Sequence, residues 1–326
     1  MLLVTGGAGF IGSNVVAGLN EAGRTDVVVN DVLGSAGKWR NLQHRQIADF
    51  VPPAELMRWL EGRKLDAVVH LGAISDTTAV DGDRVIEANF RRSLQLLDWC
   101  TLTGTRFIYA SSAATYGDGS AGFADDWSLE ALKRLKPMNL YGWSKHLFDL
   151  ALVDRFSKGE KLPPQWAGLK FFNVFGPNEY HKGTMASVLA RVFDGAKRGE
   201  PVRLFKSHRQ GIADGEQKRD FIYVDDAVAV VRWLLNAPSA RGIFNVGTGQ
   251  ASSFRAMMLA MFAALGREPK IEYIDMPVEI RDSYQYFTQA QVENLRRAGF
   301  NAAFTPLNDA VAHYVTRFLD RADRYR

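Results

Sequence analysis

Apolar positions along the chain fall into two kinds of block that take turns. Short uninterrupted runs, such as Leu2-Leu3-Val4, Val27-Val28-Val29 and Ala67-Val68-Val69, are bounded by polar residues or glycine. Between them lie longer stretches in which apolar residues return every three or four positions. Runs of the first kind predict strands buried on both faces, the habit of parallel sheets; stretches of the second kind predict helices packed over them. Strands are expected at Leu2–Thr5, Asp26–Asp31, Leu65–Leu71 and Thr105–Ala110, with later ones at 202–205, 243–246 and 271–275. Helices are expected after Gly12 and over about 54–62, 184–198, 224–235 and 307–319. After Phe171-Phe172-Asn173-Val174 the strand–helix alternation becomes less regular, and no internal repeat or low-complexity tract is present.

The turns between these elements carry the candidate chemistry. Gly6, Gly9 and Gly12 open a helix directly after the first strand. Glycine there lets the backbone turn tightly and approach a pyrophosphate, which the positive helix N-terminus attracts. The second strand ends in Asp31, 19 residues beyond Gly12, where an acid bonds ribose hydroxyls and favours NAD. Lys38 and Arg40 follow closely and suit a 2′-phosphate, so NAD and NADP both stay open. Asp49 reads equally as an adenine contact and as a turn aspartate. Leu71 and the loop Gly72-Ala73-Ile74-Ser75 close the next strand, at the carboxyl edge where open α/β sheets bind ligands. Asn89, on the following helix, is a candidate for holding the nicotinamide half; a buried asparagine capping a loop is the alternative.

Tyr141 and Lys145 are four residues apart in Tyr141-Gly142-Trp143-Ser144-Lys145 and share a face in the first turn of a helix. Bringing a phenol from a pKa of about 10 to near neutrality takes about 3 units, or roughly 4 kcal/mol. A neighbouring ammonium together with a cationic cofactor ring supplies stabilisation of that order, making the tyrosine a general acid/base. Ser112, after the strand at 105–110, is placed to bond both the Tyr141 oxygen and a substrate oxygen.

Composition narrows the class. The 326 residues are 47% hydrophobic and 23% charged, as in a globular protein, with net charge +4 and pI near 9.1. There is no run of five Lys/Arg, so the mild basic excess suits an anionic small molecule rather than nucleic acid. Cys100 is the only cysteine, which rules out an intrachain disulfide and leaves a reducing compartment as the default; its apolar setting predicts a core residue. No leader-like or membrane-spanning apolar segment and no zinc-ligand spacing is found, so a cytoplasmic protein without a metal is expected.

With Phe172-Asn173-Val174-Phe175-Gly176-Pro177, Arg219-Asp220-Phe221-Ile222-Tyr223-Val224-Asp225-Asp226 and Phe244-Asn245-Val246-Gly247-Thr248-Gly249 added, the chain resembles the extended short-chain dehydrogenase/reductase superfamily, in its nucleotide-sugar epimerase and dehydratase branch. The resemblance implies a Rossmann-type doubly wound parallel sheet over residues 1–172. It implies a smaller α/β domain for the substrate over 173–326, from which segments at about 220–250 return to the first domain.

His181-Lys182-Gly183-Thr184-Met185-Ala186-Ser187, after Gly176-Pro177-Asn178-Glu179, resembles the ADP-glyceromanno-heptose 6-epimerase family more narrowly. This implies epimerisation at C6 of an ADP-heptose of the lipopolysaccharide core, through a 6-keto intermediate. It also implies tightly held NADP and a homo-oligomer, pentamers among them. Lys182 is then a second acid/base besides Tyr141. Phe10, Ile11, Val32 and Val174 join the cofactor contacts; Asn173, Thr184, Arg191, Phe205, Lys206, Arg219 and Tyr284 face the substrate. Two departures stand out: the long basic segment Lys206–Gln217, read either as a solvated loop or as a wall for a sugar diphosphate, and Thr184 where a serine is common. The rivals are a UDP-hexose 4-epimerase, a dehydratase (disfavoured by Ala113 and Ala114, where acids are usual) and a non-catalytic dinucleotide sensor (disfavoured by the intact Tyr141/Lys145 pair).

Overall fold

The computed structural model describes residues 1–281 and 284–326. In chain order its strands are β1 (Leu2–Thr5), β2 (Val27–Asn30), β3 (Asp49–Val51), β4 (Ala67–His70), β5 (Arg106–Ser112) and β6 (Trp166–Phe171). They continue with β7 (Asn173–Phe175), β8 (Val202–Phe205), β9 (Lys218–Tyr223), β10 (Gly242–Val246), β11 (Ala251–Ser253) and β12 (Ile271–Ile274). Seven of these form one parallel sheet in the order β10-β6-β5-β4-β1-β2-β3. β1, β2 and β4 are buried along their whole length because helices cover both faces of the sheet. One face carries the core of Val15, Val16, Leu19, Val228, Val231 and Leu234, and the other that of Leu56, Leu96, Leu97, Phe148 and Leu152.

The chain leaves β1 towards β2 and β3, then crosses back to place β4 on the other side of β1. Such a reversal opens a crevice at the carboxyl ends of the two central strands. Here the loops after β1 and β4 meet: a Cβ added at Gly6 would lie 2.7 Å from the Gly72 nitrogen. Gly6 also has a φ of +65°, so both its conformation and its neighbour demand glycine. The later part of the chain forms the small sheets β11-β9-β7 and β12-β8, around a separate core that includes Leu189, Phe193, Leu204, Met258, Met261 and Val311.

Differences from the sequence reading include an added edge strand and a later helix start. β3 was not expected as a strand, because Asp49 interrupts the apolar residues Ile47-Ala48 and Phe50-Val51 just before Pro52-Pro53; it pairs with β2 at the edge, where Asn30 Nδ2 donates to the Val51 carbonyl at 2.8 Å. The helix expected from residue 184 begins at Val188 instead. Gly183, at φ 55°, breaks the helical path, and the Ser187 hydroxyl caps the new start by accepting from Ala190 N–H at 3.2 Å. Thr184 therefore sits in a short turn, Tyr180–Met185, and not on the helix.

Candidate active site

The glycine turn after β1 starts the site. Ala8 N–H donates to Asp31 Oδ2 at 2.8 Å, joining the turn to the end of β2. A Cβ at Gly12 would stand 2.1 Å from the Gly6 carbonyl oxygen, and one at Gly9 3.0 Å from the same atom. The glycines thus let the helix Phe10–Glu21 press its N-terminus against the turn, leaving bare backbone facing the cleft. A diphosphate needs this close backbone approach, so the residues present fit a dinucleotide. Asp31 also accepts from Val32 N–H at 2.7 Å and from Lys38 Nζ at 2.6 Å. The acid and the base that pointed to different cofactors form one ion pair.

The second group comes from β5 and the helix Leu140–Ser157. The Asn139 side chain caps that helix by accepting from Gly142 N–H at 2.8 Å. A Cβ at Gly142 would lie 2.7 Å from the Ala114 carbonyl, so glycine allows the helix start to dock on the turn that follows Ser112. Tyr141 is thereby brought beside the Ser112 hydroxyl at the cleft wall. Burial pushes the Tyr141 phenol above its ordinary value, the Ser112 hydrogen bond lowers it, and the Asp149 charge raises it further. Burial takes the Lys145 ammonium down to about 8, with Asp149, one helical turn on, opposing. The expected depression of the tyrosine is therefore not met in the protein alone. Desolvation outweighs the Ser112 hydrogen bond, and the charge that acts on the phenol, that of Asp149, works in the same direction as burial.

The far wall is built by later segments. Lys182, in the turn Tyr180–Met185, lies over the Phe10 ring at 5.4 Å. Burial lowers its pKa and buried Glu179 opposes. His181 Nδ1 is 3.2 Å from Asn41 Nδ2, and burial takes this histidine to about 4, with Lys38 and Lys182 adding to the effect. Arg219 is only 7% exposed, and among the described residues no carboxylate pairs with it. Its guanidinium lies over the rings of Tyr284 at 5.1 Å and Phe254 at 5.7 Å, and burial lowers its pKa. A buried, stacked guanidinium is chemically suited to an anion. All these groups line one cleft of about 710 Å³ that runs from the glycine turn past Ser112, Tyr141 and Lys145 to Arg219 and Tyr284.

A cleft with a dinucleotide turn at one end and a proton-transfer pair at its middle is common to many reactions. The model of the NAD dependent epimerase/dehydratase family matches residues 2–247. An ADP-L-glycero-D-manno-heptose-6-epimerase from Nitratidesulfovibrio vulgaris is 50% identical to this chain, over 99% of each. The solved structure of the Helicobacter pylori ADP-L-glycero-D-manno-heptose-6-epimerase superposes with a TM-score of 0.81 and 30% identity, covering 97% of this chain and 95% of that one. The chain belongs to the ADP-L-glycero-D-manno-heptose-6-epimerase family. A UDP-N-acetylglucosamine 4-epimerase from Methanobrevibacter ruminantium reaches the same TM-score of 0.81, at 24% identity over 98% of each chain. That likeness shows the fold alone.

On this epimerase-family scaffold, most residues singled out from sequence gather in the one cleft. Gly6, Gly9, Phe10, Ile11, Gly12, Asp31, Lys38, Leu71, Gly72, Ala73, Ser75 and Val174 line its dinucleotide side; Asn173, Lys182, Arg191, Arg219 and Tyr284 line the rest. Others lie off its wall, Ile74 and Arg40 among them. Val32 is 60% exposed and meets Asp31 only through its amide. Asn89 is fully buried and spends its whole amide on protein: Oδ1 accepts from Ile74 N–H at 2.8 Å, and Nδ2 donates to Ile74 O and Ser144 Oγ, each at 2.9 Å. It holds the Ile74 loop against the Tyr141 helix instead of facing the cleft. Thr184 is exposed in its turn. Phe205 packs its ring edge-on to Tyr284 at 6.3 Å, and Lys206 pairs with Asp275 at 3.5 Å. Asp49 accepts from Trp59 Nε1 at 2.8 Å, a structural contact.

Sequence reasoning passed over a buried relay beneath the cofactor loops. Thr5 Oγ1 accepts from Gly72 N–H at 3.0 Å and lies 2.6 Å from His70 Nδ1; His70 Nε2 lies 2.9 Å from Ser93 Oγ, which donates to the Asn89 carbonyl at 2.6 Å. Because Ser93 spends its proton on a carbonyl, His70 is the Nε2–H tautomer and accepts from Thr5. Burial takes His70 to about 3, so it stays neutral. Thr77, Phe254 and Met185 also line the cleft. Phe254 carried no signal, since an aromatic at a helix start reads as core.

Proposed function

We propose that this chain interconverts the C6 epimers of ADP-glycero-D-manno-heptose, turning the D-glycero form into the L-glycero form used in lipopolysaccharide core assembly. The observation that carries the reading is a pair of proton-transfer groups on separate elements lining one cleft: Tyr141 from a helix on the main sheet, and Lys182 from the Tyr180–Met185 turn. Inverting a single carbon needs proton management on both faces of a planar carbonyl, and two groups on different elements provide it.

A nicotinamide dinucleotide fits the glycine turn, Asp31 and the 71–75 loop; when bound, it supplies a reversible two-electron acceptor for the C6 hydrogen. NADP is the preferred form because Lys38 Nζ stands 2.6 Å from Asp31, so the acid's charge is already balanced where a 2′-phosphate would otherwise be repelled. Tyr141 Oη or Lys182 Nζ accepts the C6 hydroxyl proton as the carbonyl forms. Ser112 Oγ donates to that carbonyl oxygen, and the opposite group returns a proton once the carbonyl has presented its other face. Lys145 favours the phenolate form of Tyr141. Arg219 grips the diphosphate, and Tyr284 and Asn173 flank the sugar.

The test is to incubate the purified protein, without added nicotinamide, with ADP-D-glycero-β-D-manno-heptose and follow C6 configuration by NMR. Conversion to a mixture of epimers supports the reading. Turnover of a UDP-hexose instead, after NADP⁺ and NAD⁺ have both been supplied, overturns the substrate assignment. Tyr141→Phe is expected to keep bound cofactor and lose about 10²- to 10⁴-fold in kcat, the range for a general acid/base; a variant with full activity removes Tyr141 from the mechanism.

A further inference from the structure

The segment Asp323–Arg326 touches residues that flank both walls of the dinucleotide cleft, without lining it. On one side the Asp323 carboxylate lies 2.8 Å from His44 Nε2 and accepts from Gln43 Nε2 at 3.3 Å, directly after the turn Lys38–Leu42. On the other side Tyr180, two residues before Lys182, donates its hydroxyl to the Arg324 carbonyl at 2.8 Å and meets the Tyr325 ring edge-on at 5.3 Å. Arg326 N–H donates to the Asn178 side-chain oxygen at 3.0 Å. Asn178 is fully buried at φ 71°, a costly conformation for a residue with a side chain, and its Nδ2 is anchored to Ser13 Oγ at 3.0 Å.

The segment is itself pinned at several points. The Arg324 guanidinium forms a two-pronged pair with Asp194 at 2.5 and 3.0 Å, and that of Arg326 binds Glu21 and Asp225. Tyr325 N–H turns back to donate to Asp323 Oδ1 at 3.0 Å. The two walls that the segment joins also meet each other, through Asn41 and His181. Asn41 Nδ2 also donates to the Ala8 carbonyl of the glycine turn, at 2.9 Å.

We infer that Asp323–Arg326 is a strap that holds the Lys38–Leu42 and Tyr180–Met185 turns together over the bound dinucleotide and so governs its retention through turnover. The inference rests on the dinucleotide reading of the cleft, but not on the identity of the sugar. Escape of the cofactor requires the two turns to part, and each contact made by the strap must then break or stretch. Its residues are positioning residues: none of the four lines the cleft.

The experiment compares the unmodified protein with the double variant Arg324→Ala/Tyr325→Ala. Both are passed through gel filtration, and the dinucleotide left per chain is measured after acid release. Losing the Asp194 pair and the Tyr180 ring contact is expected to weaken retention about tenfold, the order set by one charged hydrogen bond and one aromatic contact. Turnover should recover fully when NADP⁺ is supplied in excess. Tyr180→Phe, which removes only the hydroxyl bond, should fall between the two. If the unmodified protein itself elutes without cofactor, the same comparison is made by titrating NADP⁺, and a tenfold weaker Kd in the double variant is expected. Equal retention or equal Kd overturns the strap, as does activity that excess NADP⁺ fails to restore in a variant with unchanged circular dichroism. Failure of the heptose reading shows separately: no C6 epimerisation, with strap variants still losing dinucleotide.

Discussion

Arg219 concentrates the logic of the cleft in one side chain. Guanidinium burial without an acid is unfavourable, and stacking on Phe254 and Tyr284 offsets only part of that cost. The proposed diphosphate contact would complete the arrangement. Arg219→Ala is accordingly expected to raise the KM for an ADP-sugar 10- to 100-fold, about 1.4–2.7 kcal/mol, with a smaller change in kcat; steady-state kinetics across substrate concentration checks this. The free protein should be no less stable, since the variant removes a buried charge that no acid among the described residues compensates. Lys145 makes a pH prediction. Burial takes it to about 8 while Asp149 opposes, so its ammonium form is lost as the pH rises through that region. If the ammonium assists Tyr141, kcat falls on the alkaline side. Asp149→Asn removes the opposing charge and moves that limb to lower pH. A pH–rate profile with the limb unmoved would separate Asp149 from the function of Lys145.

At the scale of elements, the site depends on how closely three pairs of turns and helices approach, and glycine decides each approach. Gly12 is the tightest, with its absent Cβ 2.1 Å from the Gly6 carbonyl. Gly12→Ala forces the helix Phe10–Glu21 away from its turn, and the dinucleotide loses its backbone cradle. The expected outcome is loss of copurifying cofactor together with a lowered melting temperature, read by absorbance of released nucleotide and by thermal denaturation. Gly142 plays the same part for the Tyr141 helix against the Ser112 turn, and Gly6 for the loops after β1 and β4. Asn89 and the His70 relay then lock these loops to the Tyr141 helix through buried hydrogen bonds, a fully satisfied polar network that is costly to disturb.

Across the whole molecule, a buried ion pair ties the Tyr141 helix to the sheet. Asp149 and Lys170 are 0% and 1% exposed and 3.5 Å apart. Asp149 also accepts from Tyr109 at 2.9 Å and Ser111 at 2.7 Å on β5, while Lys170 donates to Thr115 Oγ1 at 2.8 Å and lies over the Tyr116 ring at 4.5 Å. Lys170→Met would strand the Asp149 carboxylate in the interior, a change that costs about 3–5 kcal/mol in comparable buried pairs. Chemical denaturation should show that loss, and replacing Asp149 with Asn in the same chain should restore part of it, because the uncompensated charge is then gone. Among the described residues no helix is long and apolar enough to cross a membrane, and Cys100 is fully buried with its thiol pushed up by burial, as its apolar setting implied.

What the sequence by itself determined are the features that depend on near neighbours. Runs of Val and Leu make the central strands. The glycine spacing makes the phosphate turn, and the four-residue spacing of Tyr141 and Lys145 makes a shared helix face. Their physics is local, so a one-dimensional pattern carries it. The tertiary structure alone decided what depends on atoms far apart in the chain. Asn89 carries the right residue type for a cofactor contact, but its amide is consumed by Ile74 and Ser144. The Tyr141 phenol sits above its ordinary value because burial, invisible in sequence, outweighs the Ser112 hydrogen bond. Arg219 finds its aromatic partners 35 and 65 residues away, and the Lys182 turn is gripped by a segment more than 140 residues further on. Desolvation, and hydrogen bonds between distant residues, come into being only when the chain closes on itself.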